Sequence, residues 1–316
     1  MQDRRRVFCS LVGLGLAGMV LTGCSQPAAP KVVPPASPAR HAATLPEKPI
    51  VSEDILTIAA PPADQRIAYG ADPQQFGDLY LPSGRGPHPL VILVHGGYWR
   101  ARYDLGYFGH CAAALANQGF VVWNIEYRRV GNPGGAWPGT FADVAAASEY
   151  CRTLAAQHPI DPKRIVVVGH SAGGHLALWL AGRSRIPAKS PLAAADPLPI
   201  ALVVALAPVA DLRLAWELGL SNTAAAELIG GSPDQYPDRY AAASPAELLP
   251  LGTRQVVVHG REDSAVPFAV AERYVAAATA AGDSIELVVP PATGHFEIVD
   301  PRTPQWQQIA TYVAGV

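Results

Sequence analysis

The chain has 316 residues, 49% of them hydrophobic and 16% charged, with a formal net charge of −2 at pH 7. That is enough apolar material for one large core, and one domain of about 250 residues plus an extension fits the length. No long Lys/Arg run follows the N-terminus, so nothing points to a nucleic-acid partner.

The N-terminus reads as an export signal. Arg4-Arg5-Arg6 forms a basic start, and the apolar run from Leu11 to Leu21 is too short to span a bilayer comfortably. Leu21-Thr22-Gly23-Cys24 looks like a bacterial lipobox, which makes 1–23 a lipoprotein signal peptide and Cys24 the lipidation site. The expectation is an exported bacterial lipoprotein on the periplasmic face of the cell envelope, touching the membrane through its lipid anchor. Ser25, where inner-membrane retention often uses Asp, favours the outer membrane. Arg5-Arg6-Val7-Phe8 also resembles a twin-arginine signal, so the export route stays open. Gly13-Leu14-Gly15-Leu16-Ala17-Gly18 matches G-x-G-x-x-G, but no strand precedes it and it is not read as a dinucleotide site. Residues 24–52 are rich in Pro and Ala and read as a tether.

Residues 53–316 alternate apolar runs with helical patterns. Strands are expected at 78–81, 90–94, 120–125, 165–168, 202–206, 256–258 and 285–289. Helices are expected at about 104–118, 140–156, 172–182, 267–281 and 302–314. The alternation predicts an α/β domain with a mostly parallel sheet, helices on both faces and ligands at the carboxyl ends of the strands. The Pro- and Ala-rich stretch 208–250 is a candidate lid. Cys111 and Cys151 fall on helices expected to cover opposite faces, so they are read as buried free thiols.

Gly169-His170-Ser171-Ala172-Gly173 follows the run Ile165–Val168 and opens the helix at 172. Strand, sharp turn and helix are the setting of a G-x-S-x-G nucleophile elbow. A serine hydroxyl needs a base within reach, and the base needs an orienting group. The expected order is serine, acid, histidine. Asp263 follows the strand at 256–258 and His295 follows that at 285–289, so Asp263 is the candidate acid and His295 the base. Glu262 and then Asp211 are the competing acids. The oxyanion donors expected are the N–H of Ala172, at a helix start, and those of Gly96 and Gly97 in His95-Gly96-Gly97-Tyr98-Trp99. Tyr98, Trp99, Trp137, Trp216 and Phe296 lie in or near strand-end loops and are candidate substrate contacts. His170 and His175 are read as structural hydrogen-bonders and Trp179 as core. No H-E-x-x-H or C-x-x-C occurs, so neither a metal nor a cofactor is expected.

Taken together, the His95–Trp99, Gly169–His175, His259–Asp263 and Gly294-His295 segments resemble the α/β-hydrolase superfamily, over roughly residues 54 to 316. The H-G-G-x-W form is similar to the esterase branch that contains kynurenine formamidases and small carboxylesterases. The resemblance implies a serine esterase that cleaves small carboxylic esters through a Ser-His-Asp triad and an acyl-enzyme. Activity is then expected to fall on acidification, as His295 takes up a proton. The competing readings are an N-formylkynurenine formamidase-type amide hydrolase, a peptidase related to the prolyl-oligopeptidase group, and a catalytically inactive binding module. Dehalogenase and epoxide hydrolase chemistry would place Asp at the elbow, where this chain has Ser171.

Overall fold

The computed structural model describes residues 52–316. The expected signal peptide, Cys24 and all but the last residue of the expected tether lie outside the described residues. Eight strands form one sheet in the order β1-β2-β4-β3-β5-β6-β7-β8. They are β1 (Gln65–Ala68), β2 (Phe76–Tyr80), β3 (His88–Val94), β4 (Val121–Ile125), β5 (Ile160–His170), β6 (Leu202–Leu206), β7 (Arg254–Val258) and β8 (Ile285–Val288). β1 and β2 pair antiparallel, and every pairing from β4 to β8 is parallel. The mostly parallel α/β architecture is as expected. β1 is the strand the apolar pattern does not announce, because its residues are largely exposed at the sheet edge.

Nine α-helices lie among the described residues: α1 (Gly109–Asn117), α2 (Gly139–Glu149), α3 (Cys151–Gln157), α4 (Ala172–Ala181), α5 (Leu212–Glu217), α6 (Leu220–Ile229), α7 (Pro237–Ala243), α8 (Phe268–Ala280) and α9 (Pro304–Ala314). Successive strand residues point to opposite faces, and both faces are buried. Leu90, Ile92 and Val94 of β3 join a core with residues of α2, α3, α4 and α8. Val91 and Leu93 join a second core with residues of α1 and α9. Cys151 lies in the first core and Cys111 in the second, both as free buried thiols. The expected opposite-face placement follows from the crossover handedness.

The helix expected at about 104–118 begins only at Gly109. Before it, Asp104 Oδ1 accepts the Gly106 N–H at 2.8 Å, a local turn that competes with helix. Segment 100–108 therefore runs as a loop and short turn. The expected helix at 140–156 is divided at Tyr150 into α2 and α3.

Register places the site. Val94 pairs with Ile125 and Gly169, Gly169 with Ala205, Leu206 with Val258, and Val258 with Val288. The strands end level with one another, so the loops after β3, β5, β7 and β8 leave the same rim of the sheet. At that rim Gly173 must lack a side chain. A Cβ there would press into the carbonyl oxygens of Val94 and His95.

Candidate active site

Ser171 stands between β5 and α4 at φ 57° and ψ −118°, a conformation that is strained for a residue with a Cβ. Its N–H donates to the Leu206 carbonyl at 2.7 Å, and its own carbonyl accepts from His175 at 3.1 Å. The residue is almost wholly buried, yet it lines a cleft together with His295, Gly97, Tyr98 and Phe296.

The predicted acid and base meet. His295 Nδ1–H donates to Asp263 Oδ2 at 2.7 Å, which leaves Nε2 as the free ring nitrogen. Asp263 Oδ1 accepts two more bonds, from the N–H groups of Ala265 and Val266 at 2.8 Å each, and His259 Nε2–H, which donates to the Val266 carbonyl at 2.9 Å, also lies 3.2 Å from Oδ2. Burial alone would raise the Asp263 pKa. The bonds from His259 and His295 outweigh burial and hold the carboxyl well below its usual range. The competitors sit elsewhere. The Glu262 side chain is exposed, and Asp211 caps α5 by accepting the Leu214 N–H at 3.0 Å. Among the described residues no hydrogen bond joins Ser171 Oγ to the imidazole, a bond that in free enzymes often tightens only on binding.

The His95–Trp99 loop is held residue by residue. His95 Nε2 meets Glu126 Oε1 at 3.0 Å, and the His95 carbonyl accepts from Tyr127 Oη at 2.7 Å. Burial pushes the Glu126 pKa up, but His95 and Arg129 beside it bring it below the usual carboxylate range. Gly96 N–H donates to Tyr107 Oη at 2.7 Å. Tyr98 Oη donates to the Ala265 carbonyl, and Trp99 Nε1–H donates to His175 Nδ1 at 3.2 Å. Gly97 is the exception. At φ 110° it occupies a conformation glycine adopts freely, and its N–H has no partner among the described residues. Ala172, first residue of α4, precedes the first intrahelical bond, so its N–H is also available. Of the three expected donors, Gly97 and Ala172 remain. Gly96 is corrected to a structural role because its N–H already donates to Tyr107 Oη.

Tyr107 and His170 tie this loop to the imidazole. The His295 carbonyl can only accept, so His170 Nε2 carries the proton in their 2.9 Å bond. Burial, with His295 adjacent, holds the His170 pKa well below the usual range, so the ring is neutral and Nδ1 accepts from Tyr107 Oη at 2.8 Å. The chain from Gly96 through Tyr107 and His170 to His295 thus fixes the spacing of two loops across the cleft. Tyr107→Phe would leave the Gly96 N–H and His170 Nδ1 without partners. The expected loss is about 1–3 kcal/mol of stability, read as a lower urea midpoint, with a fall in any Ser171-dependent activity.

The aromatic expectations divide. Tyr98 and Phe296 line the cleft. Trp99 does not: it is fully buried and edge-on to His175. Burial lowers the His175 pKa to about 4, which keeps Nδ1 free to accept from Trp99. Trp137 lines a different depression with Pro187 and Lys189, and its backbone N–H donates to the Leu228 carbonyl at 2.8 Å. Trp216, on α5, packs half-buried against the main core. In all three, packing against other elements takes the ring away from the cleft. Trp179 is core, as expected.

Arg102, Tyr103 and Tyr107 also line the cleft, and the sequence pattern does not mark them: Tyr107 falls in the stretch 104–118 that reads as helix, and Arg102 and Tyr103 just before it belong to no motif. Gly106 in that stretch was the available signal for a break before α1. The candidate lid folds as α5, α6 and α7 and reaches the cleft at Ser221. Ser221, Asn222 and Thr223 are left-handed at φ 46°, 55° and 60°. Arg100 binds Ser221 Oγ at 2.9 Å and its carbonyl at 2.7 Å, and Glu227 at 2.7 Å. Among the described residues no group of three His, Cys, Asp or Glu side chains is placed to hold a metal ion.

The chain is similar to known proteins over most of this region. Esterase LipC of Mycobacterium tuberculosis is 30% identical over 254 residues, which is 75% of this chain and 60% of LipC. A probable isoprenylcysteine alpha-carbonyl methylesterase of Oryza sativa is 35% identical over 112 residues, 35% of this chain and 26% of that protein. The chain therefore spans under two thirds of either relative. A truncated form of a carbohydrate esterase from gut microbiota has the same fold, with a TM-score of 0.68 at 23% identity, covering 80% of this chain and 98% of the other. The BD-FAE family matches residues 77–277, which hold the elbow, the glycine loop and Asp263, and the chain belongs to that family.

Proposed function

We propose that this chain is a carboxylic ester hydrolase in which Ser171 is the nucleophile, His295 the general base and Asp263 its orienting acid. The observation that carries the reading is the 2.7 Å Asp263–His295 bond on a cleft that Ser171 lines, beside two unpartnered N–H groups. Ser171 Oγ attacks the acyl carbonyl while His295 Nε2 takes its proton. The tetrahedral oxyanion is held by the Gly97 and Ala172 N–H groups. His295 then protonates the leaving alcohol, and water attacks the acyl-enzyme by the same route to release the acid. That the relatives are named as esterases supports the ester reading over the formamide one.

The test compares p-nitrophenyl acetate with N-formylkynurenine, with Ser171→Ala as the control. Serine-dependent hydrolysis of the acetate supports the reading. Preference for the formamide moves the substrate to the amide class, and activity equal in the mutant removes the mechanism.

We also propose export as a lipoprotein, because the arginines, the short apolar run and Cys24 stand in the required order. Labelled fatty acid is expected to enter the expressed full chain and to be lost in Cys24→Ala. Label retained in the variant would overturn it.

A further inference from the structure

The charge of the cleft is lopsided. Among the described residues that line it there is no Asp or Glu side chain, and Arg102 carries the only fixed charge. The other arginines of the two adjoining loops are committed. Arg100 binds Ser221 and Glu227, Arg128 holds Asp143 at 2.7 Å, and Arg129 pairs with Glu126 at 3.1 Å. Arg102 has no carboxylate partner among the described residues. Its guanidinium carbon instead lies 4.7 Å from the centroid of the Tyr103 ring.

That stack is positioned from behind. Arg129 donates to the Tyr103 carbonyl, and the Tyr103 ring packs so closely on Gly97 that a Cβ at Gly97 would overlap it. Arg102 and Gly97 thus both pack on Tyr103 along the lining of the same cleft. An exposed arginine is ordinarily just solvated, but one stacked on the wall of a reaction cleft, with no competing carboxylate, is left to pair with what enters.

We propose that Arg102 makes this cleft selective for esters that carry a carboxylate, with the guanidinium taking the anionic end of the substrate while its acyl carbon meets Ser171. This deepens the esterase reading and rests on it. The carboxylate has two possible sources, the alcohol side or the acyl side of the ester, and the chemistry that recognises it is the same.

The experiment measures kcat/KM of the full chain on two matched pairs. The alcohol-side pair is 4-acetoxybenzoate and its neutral carboxamide. The acyl-side pair is phenyl hemisuccinate and its neutral carboxamide. In the wild type at low salt, one pair is expected to show about a fivefold preference for the anion, the upper range for an exposed ion pair. The preference should reside in KM, shrink at high salt and fall to about one in Arg102→Gln, with part retained in Arg102→Lys. Lys163→Gln makes the same change in net charge at the opposite end of β5 and should keep the ratio. Because each result is a ratio, a general loss of activity in a variant cancels. A wild-type ratio near one in both pairs, or a ratio that survives in Arg102→Gln, would overturn the proposal while leaving the esterase intact. Failure of folded wild type to turn over any of the four esters or to react with a serine-directed phosphonate would remove the esterase reading, and the substrate class with it.

Discussion

Replacing Ser171 by alanine is expected to lower kcat for ester hydrolysis by about a million-fold, the loss typical when a serine nucleophile is removed. What remains should come from the Gly97 and Ala172 N–H groups and from binding. The conformation of Ser171 adds a second expectation. At φ 57° and ψ −118° its Cβ is strained, a cost of about 1–3 kcal/mol. Ser171→Gly removes the Cβ and should be as inactive as Ser171→Ala but more stable, by about 1 kcal/mol in urea denaturation. An inactive variant that is also stabilised would identify the turn as strain kept for reactivity. Equal stability of the two variants would mean that the turn is not strained, and residual activity near wild type in either would remove Ser171 as nucleophile.

Asp263→Asn is expected to lower kcat by about ten-thousand-fold, because an amide nitrogen facing His295 Nδ1 favours the wrong tautomer of the base. The same substitution has a pH signature in stability. Hydrogen bonds hold the native Asp263 carboxyl well below its usual range, against the opposing push of burial. The unfolded chain titrates Asp near 3.9, so this stabilisation is complete above about pH 4 and is lost as pH falls further, toward the lower native value. The wild type should therefore lose stability relative to Asp263→Asn as the pH drops below about 4. Parallel curves for the two proteins would mean that the carboxylate is not held as the bonds from His259, His295 and the 265–266 backbone imply. Glu262→Ala, altering an exposed side chain, should have little effect on turnover.

Much of the site was legible because its chemistry is local or tied to strand ends. The elbow needs a strand, a tight turn and a helix within a dozen residues, and β5 and α4 supply them where the pattern places them. Asp263 and His295 are legible because each follows a strand, and parallel strands bring their carboxyl ends to one rim. What was not legible came from packing across that rim. Nothing local distinguishes Gly96 from Gly97. The difference is Tyr107 Oη, eleven positions away, which occupies one N–H and leaves the other. Trp99, Trp137 and Trp216 share the composition and loop setting of Tyr98 and Phe296. Only the position of His175, of the 187–189 segment and of the core decides which rings face the cleft.

The amino-acid pattern by itself determined the α/β class, the parallel sheet, the two free thiols on opposite faces and the three residues of the proposed triad. These follow from periodicity and from motifs whose parts lie next to strand ends. The tertiary structure decided which N–H groups stay free among the described residues, that 104–108 forms a loop and short turn beside the cleft instead of extending α1, and that Arg102 stands there with no carboxylate partner among the described residues. Those outcomes depend on hydrogen bonds and ring contacts between loops that are distant in sequence. Such contacts leave no periodic trace in the chain, because each depends on where the sheet register sets its partner.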